Sequence, residues 1–471
     1  MNQSRSEATV TIRDAMTDRA LFGDQFVDDS WAAWRALLAG FYGLSLDDNE
    51  AACWTALTGR TAPQSEHDEL WLVVGRRGGK SQCAALMAVY EAAFHDHRGA
   101  LAPGEIATVR VMAADRAQAR TIMRYVQGLI DTNPMLARMV ERTDRQSIEF
   151  SNQSVIEIGT ASYRTSRGYT FAAVIADELA FWRSEDSANP DAEIINAVRP
   201  GLATLGGKLI ALSSPHARRG ELWEHYRRHY GEDSPILVAQ APSLTMNPTL
   251  PERVVAQAYE RDAAVAAAEY GAEFRTDVET FLTREAVDIC LRDEPLELAF
   301  VRDSRYVAFV DPSGGGADSM TLAIGHDDGK RAVVDVIRER RPPFSPDAVT
   351  QDFAELLSDY GIRRVVGDRY AGEWPRERFA AYGIRYEPAA KPKNQLYAGL
   401  LAHINSARLE LPDAPRLVSQ LVALERRTGR SGHDSIDHPP GGHDDVANAV
   451  AGLAHELVGR KRKMGPMICR A

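Results

Sequence analysis

Leu70-Trp71-Leu72-Val73-Val74-Gly75-Arg76-Arg77-Gly78-Gly79-Lys80-Ser81 is the stretch on which the reading of this chain turns. Its apolar run predicts a buried strand, and the glycine-rich turn behind it delivers Lys80 and Ser81 to the first turn of a predicted helix. A phosphate-cradling loop requires that context. Backbone amides of Gly75, Arg76, Arg77, Gly78 and Gly79 face the β- and γ-phosphates, Lys80 reaches their oxygens, the Ser81 hydroxyl holds Mg²⁺, and the helix N-terminus favours the anion. Val74 stands where the usual consensus has its first glycine, and Gly75 is displaced by one position. A glycine-rich turn carrying a surface lysine is the competing reading.

Outward from this loop, Leu70 to Ser214 alternates short β-branched runs with helical patterns, which predicts a parallel α/β sheet. AAVIAD and KLIALSS are continuous apolar runs of the kind buried parallel strands show, and each ends in polar residues where a site would lie. In Val174-Ile175-Ala176-Asp177-Glu178 the strand ends in two acids, Asp177 to order the Mg²⁺ shell and Glu178 to polarise water. Ser213 and Ser214 end a further strand; they sense the γ-phosphate through a water or the Glu178 carboxylate, or form a plain turn. Arg167, just ahead of the acidic strand, is placed to stabilise charge on a transferring phosphoryl group, or is an ordinary surface arginine.

Beyond an Ala-rich helical stretch from about Pro251 to Asp277, a segment through about Ala299 carries few signals and is expected to connect two domains. RYVAFVDPS, SMTLAIGHDD and RAVVDVIRERR then read as three strands of an antiparallel meander. Asp311 ends the first, with Asp318 close enough to assist; Asp368 ends a strand that follows a helix; Asp444 and Asp445 begin the last helix. Acids in that order form the ribonuclease H arrangement. Two-metal phosphodiester hydrolysis needs such carboxylates around cations about 3.5 to 4 Å apart, and oxygen ligands suit Mg²⁺ or Mn²⁺. His433, His438 and His443 flank the third acid without standard zinc spacing and read as part of an active-site loop.

Composition sets the bounds. The net charge of -11 is unevenly spread: from residue 300 onward there are 25 Lys and Arg against 23 Asp and Glu, and before it 30 against 43. A DNA groove is therefore expected in the C-terminal part. Four unpaired cysteines, Cys53, Cys83, Cys290 and Cys469, argue against a zinc knuckle or disulfide framework and fit a reducing cytoplasm. No apolar stretch approaches a membrane span, and the N-terminus lacks a signal-peptide core.

Together, GRRGGKS, SRGYTFAAVIADE and ALSSP, followed by FVDPSGGGADS, VVGDRYAG and GHDDVANAVA, resemble the terminase large-subunit family of tailed bacteriophages over roughly Leu70 to Leu457. The displaced glycine and the loop arginines match that family's phosphate loop. The resemblance implies a P-loop (RecA-like, ASCE) ATPase domain with a parallel-rich sheet at 61–275, including a helical lid at its end, behind a helical lead-in at 1–60. A linker at 276–300 and an RNase H-like α/β nuclease domain at 301–471 would follow. It implies ATP-driven translocation of double-stranded DNA into a procapsid and metal-dependent cleavage of concatemeric DNA, with ATP and Mg²⁺ as cofactors and Mn²⁺ possible at the nuclease site. Lys80, Asp177 and Glu178 would serve the ATPase; Asp311, Asp368 and one of Asp444 or Asp445 the nuclease. The implied partners are a small terminase subunit, the portal protein of the procapsid and further copies of this chain on the portal, with a monomer possible in solution. The implied location is the host cytoplasm, docked at the portal. A helicase or translocase shares the ATP site but does not need the C-terminal acids, and a scaffold with decayed sites does not need an intact Lys, Ser, Asp and Glu. Trp31, Trp34 and Trp54 either help seat an adenine or pack as buried aromatics.

Overall fold

The structure is a computed structural model that describes residues 10–63, 65–161, 168–182, 190–276, 278–316, 318–368, 373–428, 434–439 and 442–458. The chain divides into two compact units, with the division near Thr276. Among the described residues no helix is long and apolar enough to cross a membrane.

In the first unit, β1 (Glu69–Val74), β2 (Ala107–Ala113), β3 (Val140–Thr143), β4 (Ser147–Phe150), β5 (Ser154–Thr160), β6 (Thr170–Asp177), β7 (Lys208–Ser213) and β8 (Ile236–Ala241) form one sheet in the order β3-β4-β5-β2-β6-β7-β1-β8. Pairing is parallel from β5 through β8 and antiparallel only at the β3-β4-β5 edge. The central strands are covered on both faces, which is why they read as continuous apolar runs rather than alternating ones. Strand β7 lies between β1, which leads into the phosphate loop, and β6, which ends in Asp177. This is the order of a P-loop ATPase with an added strand. Residues Leu70, Leu72 and Val74 face one side with the helices Lys80–Ala93 and Arg116–Asp131, while Trp71 and Val73 face the other.

The N-terminal residues are part of this unit's core rather than a lead-in to it. Trp34 and Trp54 are both fully buried, in one apolar cluster with Phe41, Leu70 and Leu86. Burying an indole removes more apolar area from water than any other side chain does, so these helices are held by packing on the sheet.

The second unit contains β9 (Val278–Thr280), β10 (Leu291–Arg292), β11 (Tyr306–Asp311), β12 (Met320–Asp327), β13 (Ala332–Arg340), β14 (Arg364–Gly367), β15 (Arg385–Pro388), β16 (Leu409–Pro412), β17 (Glu425–Thr428) and β18 (Asp434–Asp437). Its main sheet runs β10-β16-β13-β12-β11-β14-β15, and β18-β17-β9 form a small second sheet. The β11-β12-β13 meander is antiparallel, and β14 and β15 add in parallel beside β11. Numbered within the unit this is the 3-2-1-4-5 order of the ribonuclease H fold. The stretch 276–300, expected as a linker, is folded into this unit. Strands β9 and β10 pair with β17 and β16, and Phe281, Leu282, Val287 and Cys290 are buried in its core. These apolar residues are spaced too irregularly for a strand or helix period, so their burial was invisible to pattern reading.

Alternation along β11 decides where the chemistry lies. Val307 and Phe309 face the helix Asp445–Val458, whereas Tyr306, Ala308 and Val310 face the helices Pro346–Asp359 and Trp374–Ala381. Side chains two apart share a face, so Asp311 falls on the side of the helix Asp445–Val458. That helix is buried along most of its length, and a Cβ on Gly452 would stand 2.3 Å from the Phe309 ring. Gly452→Val should therefore lower the stability of this unit by about 2–3 kcal/mol through overpacking, measured as a shift of its urea midpoint at unchanged slope.

Candidate functional site

The first site is a cleft of about 670 Å³ in the first unit, lined in part by Trp31, Arg77, Lys80, Ser81, Gln118 and Glu178. Three side chains pin the phosphate-loop carbonyls: Ser243 Oγ donates to Arg76 O (2.6 Å), Asn247 Nδ2 to Arg77 O (2.8 Å) and Trp34 Nε1 to Gly78 O (2.8 Å). A trans peptide directs its N–H opposite to its C=O, so the Arg77 and Gly79 amides project the other way, beside the start of the helix Lys80–Ala93. The displaced glycine has a steric cause. A Cβ on Gly75 would stand 2.3 Å from Ser243 Oγ and 2.7 Å from Tyr270 O. Gly79 has φ +89°, and Trp31 ring atoms lie 3.2 Å from where its Cβ would be.

Lys80 is 6% exposed and donates to Val74 O (3.0 Å), Gly75 O (3.3 Å) and Ser214 Oγ (2.9 Å), with Glu178 Oε1 at 3.7 Å. Burial lowers its pKa, opposed by the charges of Glu178 and Asp177. Glu178 takes a left-handed backbone conformation, φ 51°, uncommon for a non-glycine residue. Its Oε2 accepts from Ser213 Oγ (3.2 Å) and Ser214 N (3.4 Å). Ser213 and Ser214 therefore connect Lys80 to Glu178, as the place of β7 in the sheet requires. Asp177 is fully buried; its Oδ2 accepts from Gln118 Nε2 at 2.7 Å, and the same amide lies 3.5 Å from Ser81 Oγ. Burial first, then the Glu178 charge, pushes the Asp177 carboxyl up to about 7. Its Oδ1 is buried and has no hydrogen-bond partner. An orphaned oxygen on a carboxylate that shares the Gln118 amide with the Ser81 hydroxyl fits a hard divalent cation. Arg76 pairs with Glu269 (2.9 Å) at the exposed edge of the cleft. Arg167 lies outside the described residues.

The second site is in the second unit. Asn448 Nδ2 donates to Asp311 Oδ2 (2.9 Å) and to Asp368 Oδ2 (3.4 Å), so one amide joins the first two expected acids. Asp445 Oδ2 accepts from Ser319 N (3.4 Å) and lies 4.0 Å from His443 Nδ1. Burial raises the Asp311 pKa well above the carboxylate range, and the charges of Asp445, Asp368 and Asp444 add to it; burial also raises that of Asp445. Two carboxylates joined by one neutral amide, with the Asp445 charge bearing on the first of them, offer hard oxygen donors, which suit Mg²⁺ or Mn²⁺. Asp318, expected among the ligands, stands at the rim instead. Its side chain is 68% exposed and lies 3.8 Å from His443 Nδ1, with its charge acting on Asp445. His438 contacts its own strand end, with Nδ1 2.9 Å from Pro439 O, and His433 lies outside the described residues.

Residues 54–209, a third of the chain, match the profile of the terminase large subunit, ATPase domain. Over these residues the chain is similar to the ATPase domain of terminase large subunits. No curated protein sequence matches it. The large terminase of bacteriophage HK97 aligns with it at 16% identity, over 90% of this chain and 99% of that one, with a TM-score of 0.38. The large terminase nuclease of thermophilic phage G20c aligns at 21% identity over 36% of this chain and 95% of that one, TM-score 0.32. The large terminase of another thermophilic bacteriophage, in complex with ADP, aligns at 11% identity over 83% and 94%, TM-score 0.37. With scores this low, the strand order of each sheet is the firmer guide to the fold.

Sequence reading missed Asn247 and Gln118 at the first site and Asn448, Tyr397 and Lys393 at the second, while Trp34, expected to seat an adenine or pack as a buried aromatic, is buried and also holds the Gly78 carbonyl. Asn448 had a signal, since it lies three residues after Asp445 and so on the same helix face. The others come from distant segments and had none.

Two outcomes check the first site. Trp34→Phe keeps the ring and loses the donor to Gly78 O, so nucleotide affinity measured by calorimetry should fall about five- to tenfold, the worth of one buried hydrogen bond. The raised Asp177 pKa means the folded state holds a proton that the unfolded chain releases above the ordinary carboxylate range. Its stabilising effect is present at low pH and lost as pH rises through about 7. Metal-free melting curves of Asp177→Asn should therefore decline less between pH 5 and 8 than those of the wild type.

Proposed function

We propose that this chain is the large subunit of a DNA-packaging terminase, hydrolysing ATP in its first unit to move double-stranded DNA and cutting DNA with a two-metal centre in its second. The observation that carries the nuclease half is the meeting of Asp311 and Asp368 at Asn448, with Asp445 near enough for its charge to act on Asp311. An ATP-driven translocase alone has no use for such a cluster.

In the first site Lys80 exchanges its contacts with Val74, Gly75 and Ser214 for phosphate oxygens, and the Arg77 and Gly79 amides take part of the remaining anionic charge, since the Gly75, Arg76 and Gly78 amides are held by protein carbonyls. Ser81 and Asp177, aligned by Gln118, would hold Mg²⁺, which neutralises charge on the phosphates. Glu178, held by Ser213 and Ser214, orients the attacking water and accepts its proton. In the second site Asp311, Asp368 and Asp445 would hold Mg²⁺ or Mn²⁺, supplying an activated water and a stabilised leaving oxygen. Asn448 fixes the spacing of Asp311 and Asp368. Double-stranded DNA, a small terminase subunit, the portal protein and further copies of this chain on the portal are the partners, and the host cytoplasm at the procapsid portal is the place of action. Support for these partners lies in the family resemblance of the motifs.

Asp311→Asn and Asp368→Asn should each lower Mn²⁺-dependent plasmid cleavage at least a hundredfold while ATP turnover stays within twofold. Lys80→Ala should do the reverse. Cleavage that survives both aspartate substitutions overturns the nuclease assignment.

A further inference from the structure

Adjacent aspartates at a helix entry raise the question of which one serves the metal, and the groups around Asp444 answer it. Asp437 at the end of β18, His438 beside it and Asp444 each offer one ligand atom within 4.8 Å of the others, a grouping able to hold a divalent cation. A cation from the chain itself already lies there. Lys393 Nζ is 2.7 Å from Asp444 Oδ2 and 3.0 Å from Asp437 Oδ1, and the Tyr397 hydroxyl donates to the same Asp444 oxygen at 2.7 Å. Lys393 and Tyr397 are one helical turn apart on the helix Lys393–Asn405, so a single rigid element presents both donors.

The contrast with Asp445 is sharp in charge terms. Asp444 is 5% exposed and has an ammonium in contact; Asp445 has a backbone amide at 3.4 Å and an imidazole at 4.0 Å. A compact ammonium with three donors can satisfy two carboxylates at once, and a carboxylate so neutralised competes poorly for a metal. Of the neighbouring acids, Asp445 bears most strongly on Asp311.

We propose that Lys393 is a positioning residue of the nuclease centre: a built-in cation that takes the Asp437–Asp444 seat, commits Asp444 to the protein and leaves Asp445 as the helix's carboxylate for the metal. This rests on the nuclease reading of the cluster. Removing the ammonium should turn the seat into a true metal site, because Asp437, Asp444 and His438 remain in place with their charge uncompensated.

Mn²⁺ binding to the full chain, measured by titration calorimetry and by the free-ion spin-resonance signal, tests it. Lys393→Met should bind one Mn²⁺ more per chain than the wild type, and Lys393→Met with Asp437→Asn should lose that extra ion. In the otherwise native chain, Asp445→Asn should weaken the Asp311-dependent Mn²⁺ at least tenfold and Asp444→Asn less than threefold. No extra ion in a folded Lys393→Met chain overturns the proposal; should that variant fail to fold, an Asp444→Asn loss equal to or above that of Asp445→Asn overturns it instead. If Asp311→Asn binds Mn²⁺ as the wild type does, the nuclease reading itself falls, a result separable from either of those.

Discussion

A carboxylate taken out of water needs a cation or a proton, and that requirement organises both units of this chain. Asp177 and Asp311 each sit at the end of a buried strand, and burial is the leading cause of the raised pKa of each. In the first unit the cationic answer is partly built in, as Lys80 lies against Glu178. In the second, Lys393 answers for Asp444.

Parallel pairing turns this requirement into geometry. Strands that run the same way bring their carboxyl ends to one edge, so loops far apart in sequence meet there. The β6-β7-β1 order puts the serines of β7 between the lysine of one loop and the glutamate of another, and a single hydrogen-bonded path links Lys80, Ser214, Ser213 and Glu178. In the second unit β11 and β14 are parallel neighbours, which brings Asp311 and Asp368 within reach of one asparagine.

Legibility followed the range of each interaction. The phosphate loop, the acidic strand and the meander were readable because each is a local pattern: an apolar run, a turn, then a functional side chain. The folding of 276–300 into the second unit was not readable, since Phe281, Leu282, Val287 and Cys290 find their partners on β16, β17 and the helices after residue 390.

By itself the sequence determined which residues bear charge at strand ends and in what order, because hydrophobic period and turn chemistry act over a few residues. It therefore named Lys80, Asp177, Glu178, Asp311 and Asp368. Only tertiary structure sets Asp444 apart from Asp445, through an ammonium and a phenol delivered by a different helix. It likewise decided that Trp34, Ser243 and Asn247 fix the loop carbonyls. Contacts across such separations are set by how elements pack, and no local pattern records them.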